Sequence, residues 1–260
     1  MVVIEYFSPR NGCEIMKKNK SSIFLLLLGV FGLFMLVAHS IRFERIAMGN
    51  IELYVPTCTN NTLGGWNFYF YFTFQSNILV NVYLVLLGLR GLGVGKVKRI
   101  VENPYIQGMI TMYILITGIV YCFILFPHLE YYPWDGEMGY ANIVNLYNHI
   151  ATPIIMFILW FKPISNRKLD RKFIYLSLIY PASYFIFSVI RGELVNWYPY
   201  PFCNPKLLWE SLFSTIPYTD TQGMIFFTIF FILLLILFLL VSNMIRVIRN
   251  KMLENKKNFI

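Results

Sequence analysis

Six apolar windows, each long enough to cross the hydrocarbon core of a bilayer, constrain this chain more than any motif within it. They run approximately over residues 22–41, 66–89, 106–126, 143–161, 173–190 and 223–245. A membrane helix needs about 20 apolar residues to cross a core roughly 30 Å thick. None of the windows alternates polar and apolar residues as a barrel strand does, so the pattern predicts helices that satisfy their own backbone hydrogen bonds in lipid. The chain is 57% hydrophobic and only 13% charged, whereas a soluble domain carries roughly 25% charged residues. The expected fold is all-α: one polytopic membrane domain over residues 1–260 with six transmembrane helices. No soluble domain, internal repeat or low-complexity segment interrupts it.

The charges orient the spans. Of the 22 Lys and Arg residues, 18 precede the first span, follow the last, or lie in the 90–105 and 162–172 loops. The remaining loops hold Arg42, Arg45, Arg191 and Lys206 together with most of the acids. The positive-inside rule then predicts a multi-pass protein of the cell membrane with both termini cytoplasmic. The net charge of +9 is accounted for by topology and by contact with anionic lipid headgroups, so membrane lipids, not nucleic acid, are the expected partners. The stretch KKNKSSIFLLLLGVFGLFMLVAHS imitates a secretory leader, but its apolar run is longer than such leaders carry and it reads as the first span. Sequence alone leaves the oligomeric state open.

Within this apolar frame, YFTFQSNILVN (71–81) is out of place. A buried amide or hydroxyl without a partner costs about 1–3 kcal/mol, so its polar groups need a destination. At 100° per residue Thr73, Ser76, Asn77 and Asn81 share one arc of the second helix while Gln75 points elsewhere. In the fourth span, Asn145, Asn148, His149 and Thr152 form a second stripe. Two such stripes on otherwise apolar helices predict that the helices face each other or a shared cavity. Interhelical hydrogen bonding accounts for most of these side chains. His149 is different, because an ionisable group inside a membrane span is by default a functional candidate. Counting from span ends near Trp66 and Ile143 places Thr73 and His149 at similar depth in the outer leaflet, where His39 and Arg191 also fall. Arg191 can snorkel to headgroups or hold an anionic group. The sixth span, apolar all round, is expected to face lipid.

The segment RGELVNWYPYPFCNP (191–205) reads as an aromatic belt at the outer interface, followed by a short interfacial helix KLLWESLF started by Asn204 and Pro205. With YYPW at 131–134 it suggests a lid around an outer opening. Cys58 and Cys203 both fall in outer loops and can pair where that compartment is oxidising; sequence does not set their distance, and two free thiols are the leading expectation. Asn60-Asn61-Thr62 is a glycosylation sequon on the same side. Histidines at 39, 128 and 149 give no metal-ligand spacing, no G-x-S-x-G elbow occurs, and GLGVGK (91–96) lacks the spacer and hydroxyl of a phosphate loop. No metal or cofactor is expected.

The ordered set FTFQSN (72–77), His149 with Pro153, and YPxxY…RGxxxxWYPYPF (180–202) resembles the six-span androgen-induced and ADTRP-type membrane proteins, and still more closely their prokaryotic six-transmembrane relatives, over roughly residues 20–245. The resemblance implies an intramembrane threonine hydrolase of fatty acid esters, with Thr73 as nucleophile and His149 as general base. Such a base is what a Thr hydroxyl needs to become nucleophilic. Ser76 stands one turn along the helix as the alternative nucleophile. Asn77 or Asn148 is a candidate to orient the imidazole or donate to an oxyanion, and Arg191 to receive a product carboxylate. The leading expectation is hydrolysis of an amphiphilic ester in an outer-leaflet pocket. The alternative is a non-enzymatic membrane protein, a small transporter or lipid-binding scaffold, with Pro153 and Pro181 as candidate helix breaks.

Overall fold

A computed structural model describes residues 9–47, 64–125, 142–162, 164–213 and 215–258. Six helices in it are long and apolar enough to cross a membrane, and no strand occurs among the described residues. They are α1 (Pro9–Ala47), with its apolar part at Lys20–Arg42, α2 (Phe72–Gly91), α3 (Pro104–Ile124), α4 (Asn142–Trp160), α5 (Lys172–Val195) and α6 (Asp220–Asn258). The share of each apolar stretch that is buried is 61% for α3 and 17% for α6. So α3 forms the centre of the bundle, and α6 presents most of its surface outward, as its uniformly apolar sequence requires.

Close packing of α1 on α2 rests on small residues, the usual means of bringing helices together where lipid offers no hydrophobic drive. A Cβ on Gly32 would lie 1.9 Å from Asn81 Oδ1, and one on Gly29 would lie 2.6 Å from the Asn81 main-chain oxygen. On its next face α2 meets α4, and there the two polar stripes interlock.

The basic loops gather at one end of the bundle. Arg249 of α6 is buried, donating from Nε to the Arg167 carbonyl (2.9 Å), from Nη1 to Gln107 Oε1 (3.2 Å) and from Nη2 to the Ser165 carbonyl (2.8 Å). Its guanidinium also lies 5.3 Å from the Trp160 ring centre. One side chain thus fastens the loop after α4 to α3 and α6. Arg90 at the end of α2 pairs with Glu102 at 2.6 Å on the same end.

Two expectations change at the opposite end. The apolar run from Trp66 is not continuous helix: Gly64–Phe70 forms a 3-10 helix and α2 begins at Phe72. Hydropathy cannot see this break, because a residue has the same hydropathy in a 3-10 turn as in an α-helix. Thr73 is therefore the second residue of its helix instead of lying two turns inside it. The segment 197–202 is not an exposed belt either, since Trp197, Tyr198, Tyr200 and Phe202 are all buried. α5 ends at Val195, and the left-handed backbone of Asn196 (φ 51°) turns the chain back. Gly192 makes room for that return, since a Cβ there would lie 2.1 Å from the Tyr198 ring. The short helix expected after Asn204 forms over Pro205–Leu212, the Asn204 side chain accepting from the Lys206 and Leu207 amides at 2.9 and 3.2 Å. Cys58, the sequon at 60–62, His128 and YYPW at 131–134 lie outside the described residues.

Candidate active site

The head of α2 is capped by two tyrosines. The first N–H groups of any helix lack intrahelical acceptors. Here the Phe72 N–H donates to Tyr184 Oη (3.0 Å) and the Thr73 N–H to Tyr200 Oη (3.0 Å). Tyr184 passes its own proton to the Phe70 carbonyl at 2.8 Å. Thr73 thus sits at the positive end of a 20-residue helix, where the aligned peptide dipoles favour negative charge.

The Thr73 hydroxyl lies 3.2 Å from His149 Nε2 and 3.1 Å from Tyr200 Oη. The other imidazole nitrogen, Nδ1, is 3.0 Å from the main-chain carbonyl of Asn145. A carbonyl only accepts, so Nδ1 carries the ring proton and Nε2 presents its lone pair to Thr73. Thr73 then donates to His149, and Tyr200 donates to Thr73 Oγ1 while accepting the Thr73 N–H. Every donor among Thr73, His149 Nδ1 and Tyr200 thus has an acceptor. The Tyr121 ring lies flat on the imidazole, 4.0 Å between centres and 16° between planes.

Local backbone chemistry places His149. Residues Tyr147–Ala151 form a π turn, with the Thr152 N–H donating to the Tyr147 carbonyl. The Asn148 carbonyl is thereby released, and it accepts instead from Asn77 Nδ2 (3.0 Å) and Thr152 Oγ1 (3.1 Å). Pro153 has no N–H to offer the His149 carbonyl. Gly118 of α3 accommodates the widened turn, since a Cβ there would lie 3.0 Å from Pro153 Cγ and 3.1 Å from that carbonyl. Such π turns recur at functional sites in other helices.

The other candidates have structural partners. Asn77 is fully buried and does not touch the imidazole. Its amide donates to the Thr73 carbonyl (2.9 Å) and the Asn148 carbonyl, and its Oδ1 accepts from Thr152 Oγ1 at 2.7 Å. Asn148 serves α2 through its main chain, and its buried Oδ1 has no hydrogen-bond partner among the described residues. Ser76 Oγ meets the Thr73 carbonyl and Thr117 Oγ1, both at 3.1 Å, with no imidazole beside it. Gln75, on another face as its angle predicts, bonds to the Tyr69 carbonyl and to the Tyr180 hydroxyl of α5. His39 packs edge-on against Phe68.

Arg191 does not reach the Thr73 hydroxyl. It is buried between the Phe70 and Trp197 rings, 4.0 and 4.7 Å from their centres, and donates to Asn67 Oδ1 (2.6 Å) and the Trp197 carbonyl (3.4 Å). It joins the segment leading into α2 to the segment that carries Tyr200. Neither Tyr200 nor Tyr121 is among the site residues that the sequence pattern predicts. Tyr200 had a signal in the conspicuous YPYPF run; Tyr121 had none.

A cavity of about 50 Å³ opens beside Thr73. Its walls come from α2, α3, α5, α6 and the 200–202 segment, chiefly Ile116, Val120, Phe185, Phe231, Leu234 and Phe238. The hydroxyls of Thr73 and Tyr200 belong to residues at this otherwise largely apolar wall, with His149 behind Thr73. Burial in apolar surroundings raises the Tyr200 phenol well above its ordinary range, so it stays protonated and able to donate. Comparison with family models, characterised proteins and solved structures gives no match.

Proposed function

We propose that this chain is an intramembrane hydrolase of lipid esters in which Thr73 is the nucleophile and His149 the general base. The single observation carrying this reading is the 3.2 Å contact between Thr73 Oγ1 and the unprotonated Nε2 of His149. It lies within ordinary reach for proton transfer. His149 Nε2 takes the Thr73 proton as Oγ1 bonds to the ester carbonyl carbon. It returns that proton to the leaving alkoxide as the C–O bond breaks, leaving an acyl-threonine. A water, deprotonated by the same nitrogen, releases the acid and restores Thr73.

The apolar cavity suits an acyl chain, because most small-molecule sites combine apolar walls with a few placed polar groups. The substrate class is therefore an amphiphilic fatty acid ester, reached from the bilayer. The charge pattern supports cytoplasmic termini and a site in the outer leaflet of the cell membrane. The resemblance to prokaryotic relatives of the ADTRP-type threonine hydrolases points the same way. A transporter or lipid-binding scaffold has no need for a threonine proton aimed at an imidazole lone pair, so hydrolysis is favoured over both.

The test is hydrolysis of p-nitrophenyl acyl esters by the full chain in lipid nanodiscs. Turnover by wild type that disappears in folded Thr73→Ala and His149→Ala supports the assignment. Turnover retained by both variants excludes it.

A further inference from the structure

Resting on the hydrolase reading, we infer that Tyr200 is a third catalytic residue: its phenol O–H is the donor that holds the oxyanion of the tetrahedral intermediate. Hydrogen counting leads to this. The Thr73 O–H is committed to His149, and the Thr73 N–H to Tyr200 Oη. The one acceptor left for the Tyr200 proton in this cluster is Thr73 Oγ1, at 3.1 Å. When Oγ1 bonds to the carbonyl carbon it becomes a poor acceptor, while the carbonyl π pair moves onto an oxygen one atom further along. Tyr200 then shifts its O–H from Oγ1 to that oxygen without giving up the proton. No covalent bond to Tyr200 forms or breaks.

Backbone amides often make an oxyanion hole at a helix head. Here the first two are taken, the Phe72 N–H by Tyr184 and the Thr73 N–H by Tyr200 itself. Tyr200 is also placed to meet the substrate, because it and Thr73 line the same cavity. Its ring is buried and stacked on Phe202, 4.9 Å between centres and 6° between planes, so the hydroxyl is held in position before any substrate arrives.

Tyr83 supplies a matched control. It is a buried tyrosine of the helix that carries Thr73, but its hydroxyl donates to the Val101 carbonyl at 3.2 Å, and it neither lines the cavity nor bonds to Thr73. Wild type, Tyr200→Phe and Tyr83→Phe are compared in nanodiscs with a p-nitrophenyl acyl ester, after thermal unfolding confirms that each is folded. Loss of one oxyanion donor lowers kcat by about 10²–10³-fold, so that fall in Tyr200→Phe, with KM nearly unchanged and Tyr83→Phe close to wild type, is expected. Wild-type kcat in Tyr200→Phe, or equal losses in the two variants, overturns the inference and leaves the hydrolase reading standing. Absence of turnover in folded wild type overturns both. Should Tyr200→Phe unfold, a fluorinated tyrosine at 200 keeps the ring and hydroxyl: kcat that varies with phenol acidity supports the role, and kcat that ignores it refutes it.

Discussion

His149 Nδ1 donates to the main-chain carbonyl of Asn145 at 3.0 Å, and that bond settles the direction of every proton in the site. It fixes the imidazole tautomer from within the same helix, one turn away, with no carboxylate required. The open lone pair on Nε2 faces the Thr73 hydroxyl, and the network ends at Tyr200. The main-chain carbonyl cannot be removed by mutation, so the residues on either side of the imidazole carry the tests.

Replacing His149 with Gln keeps a polar side chain but removes the base. Ester turnover should fall by about 10²–10⁴-fold, the usual contribution of general base catalysis, with the unfolding midpoint little changed. Acidification should act in the same direction, because a protonated imidazole has no lone pair for the Thr73 proton. Initial rates across a pH series, for wild type and His149→Gln together, measure both.

The proposed reaction requires the hydroxyl at position 73 and not the methyl. Thr73→Val matches the shape and should abolish turnover; Thr73→Ser should retain measurable activity. If Ser76 carried the chemistry instead, Ser76→Ala would be inactive and Thr73→Val active. Rates for the three variants distinguish these cases.

Asn77 tests the scaffold rather than the chemistry. It bridges the Thr73 carbonyl, the Asn148 carbonyl and Thr152 Oγ1. Asn77→Leu leaves buried polar groups short of partners, which costs about 1–3 kcal/mol. A lowered thermal midpoint in detergent is the expected result.

Chain-length preference should follow the cavity wall. Leu234 of α6 lines the cavity, so Leu234→Trp fills part of it. The ratio of short-chain to long-chain p-nitrophenyl ester turnover should rise. An unchanged ratio would place the acyl chain elsewhere.

Arg191 should not tolerate Lys. Its guanidinium is stacked between Phe70 and Trp197 while its donors hold Asn67 and the Trp197 carbonyl. Planarity serves all of these contacts, and an ammonium supplies none of the stacking. Arg191→Lys and Arg191→Ala should therefore lower the unfolding midpoint by similar amounts, with lost turnover following from displaced Tyr200.

The contact between α2 and α4 was readable because helical periodicity is a property of sequence. Thr73, Asn77 and Asn81 share an arc, and Asn148, His149 and Thr152 share another, so a meeting of the two stripes needed no coordinates. The α2 start was not readable, since an aromatic run has the same hydropathy in a 3-10 turn as in an α-helix. Nor was the π turn, which depends on tertiary acceptors such as Asn77 to take up a released carbonyl. The fold-back of 197–202 needed both Gly192 and the left-handed Asn196. Before that fold-back is known, Tyr200 is one interfacial aromatic among several, and Arg191 is a cation awaiting an anion rather than a clamp between two segments.

The most direct test is to label the purified full chain with a fluorophosphonate probe and locate the adduct by mass spectrometry. The account predicts one adduct, on Thr73, lost in His149→Ala while that variant remains folded. An adduct on Ser76, or none on well-folded wild type, would contradict it.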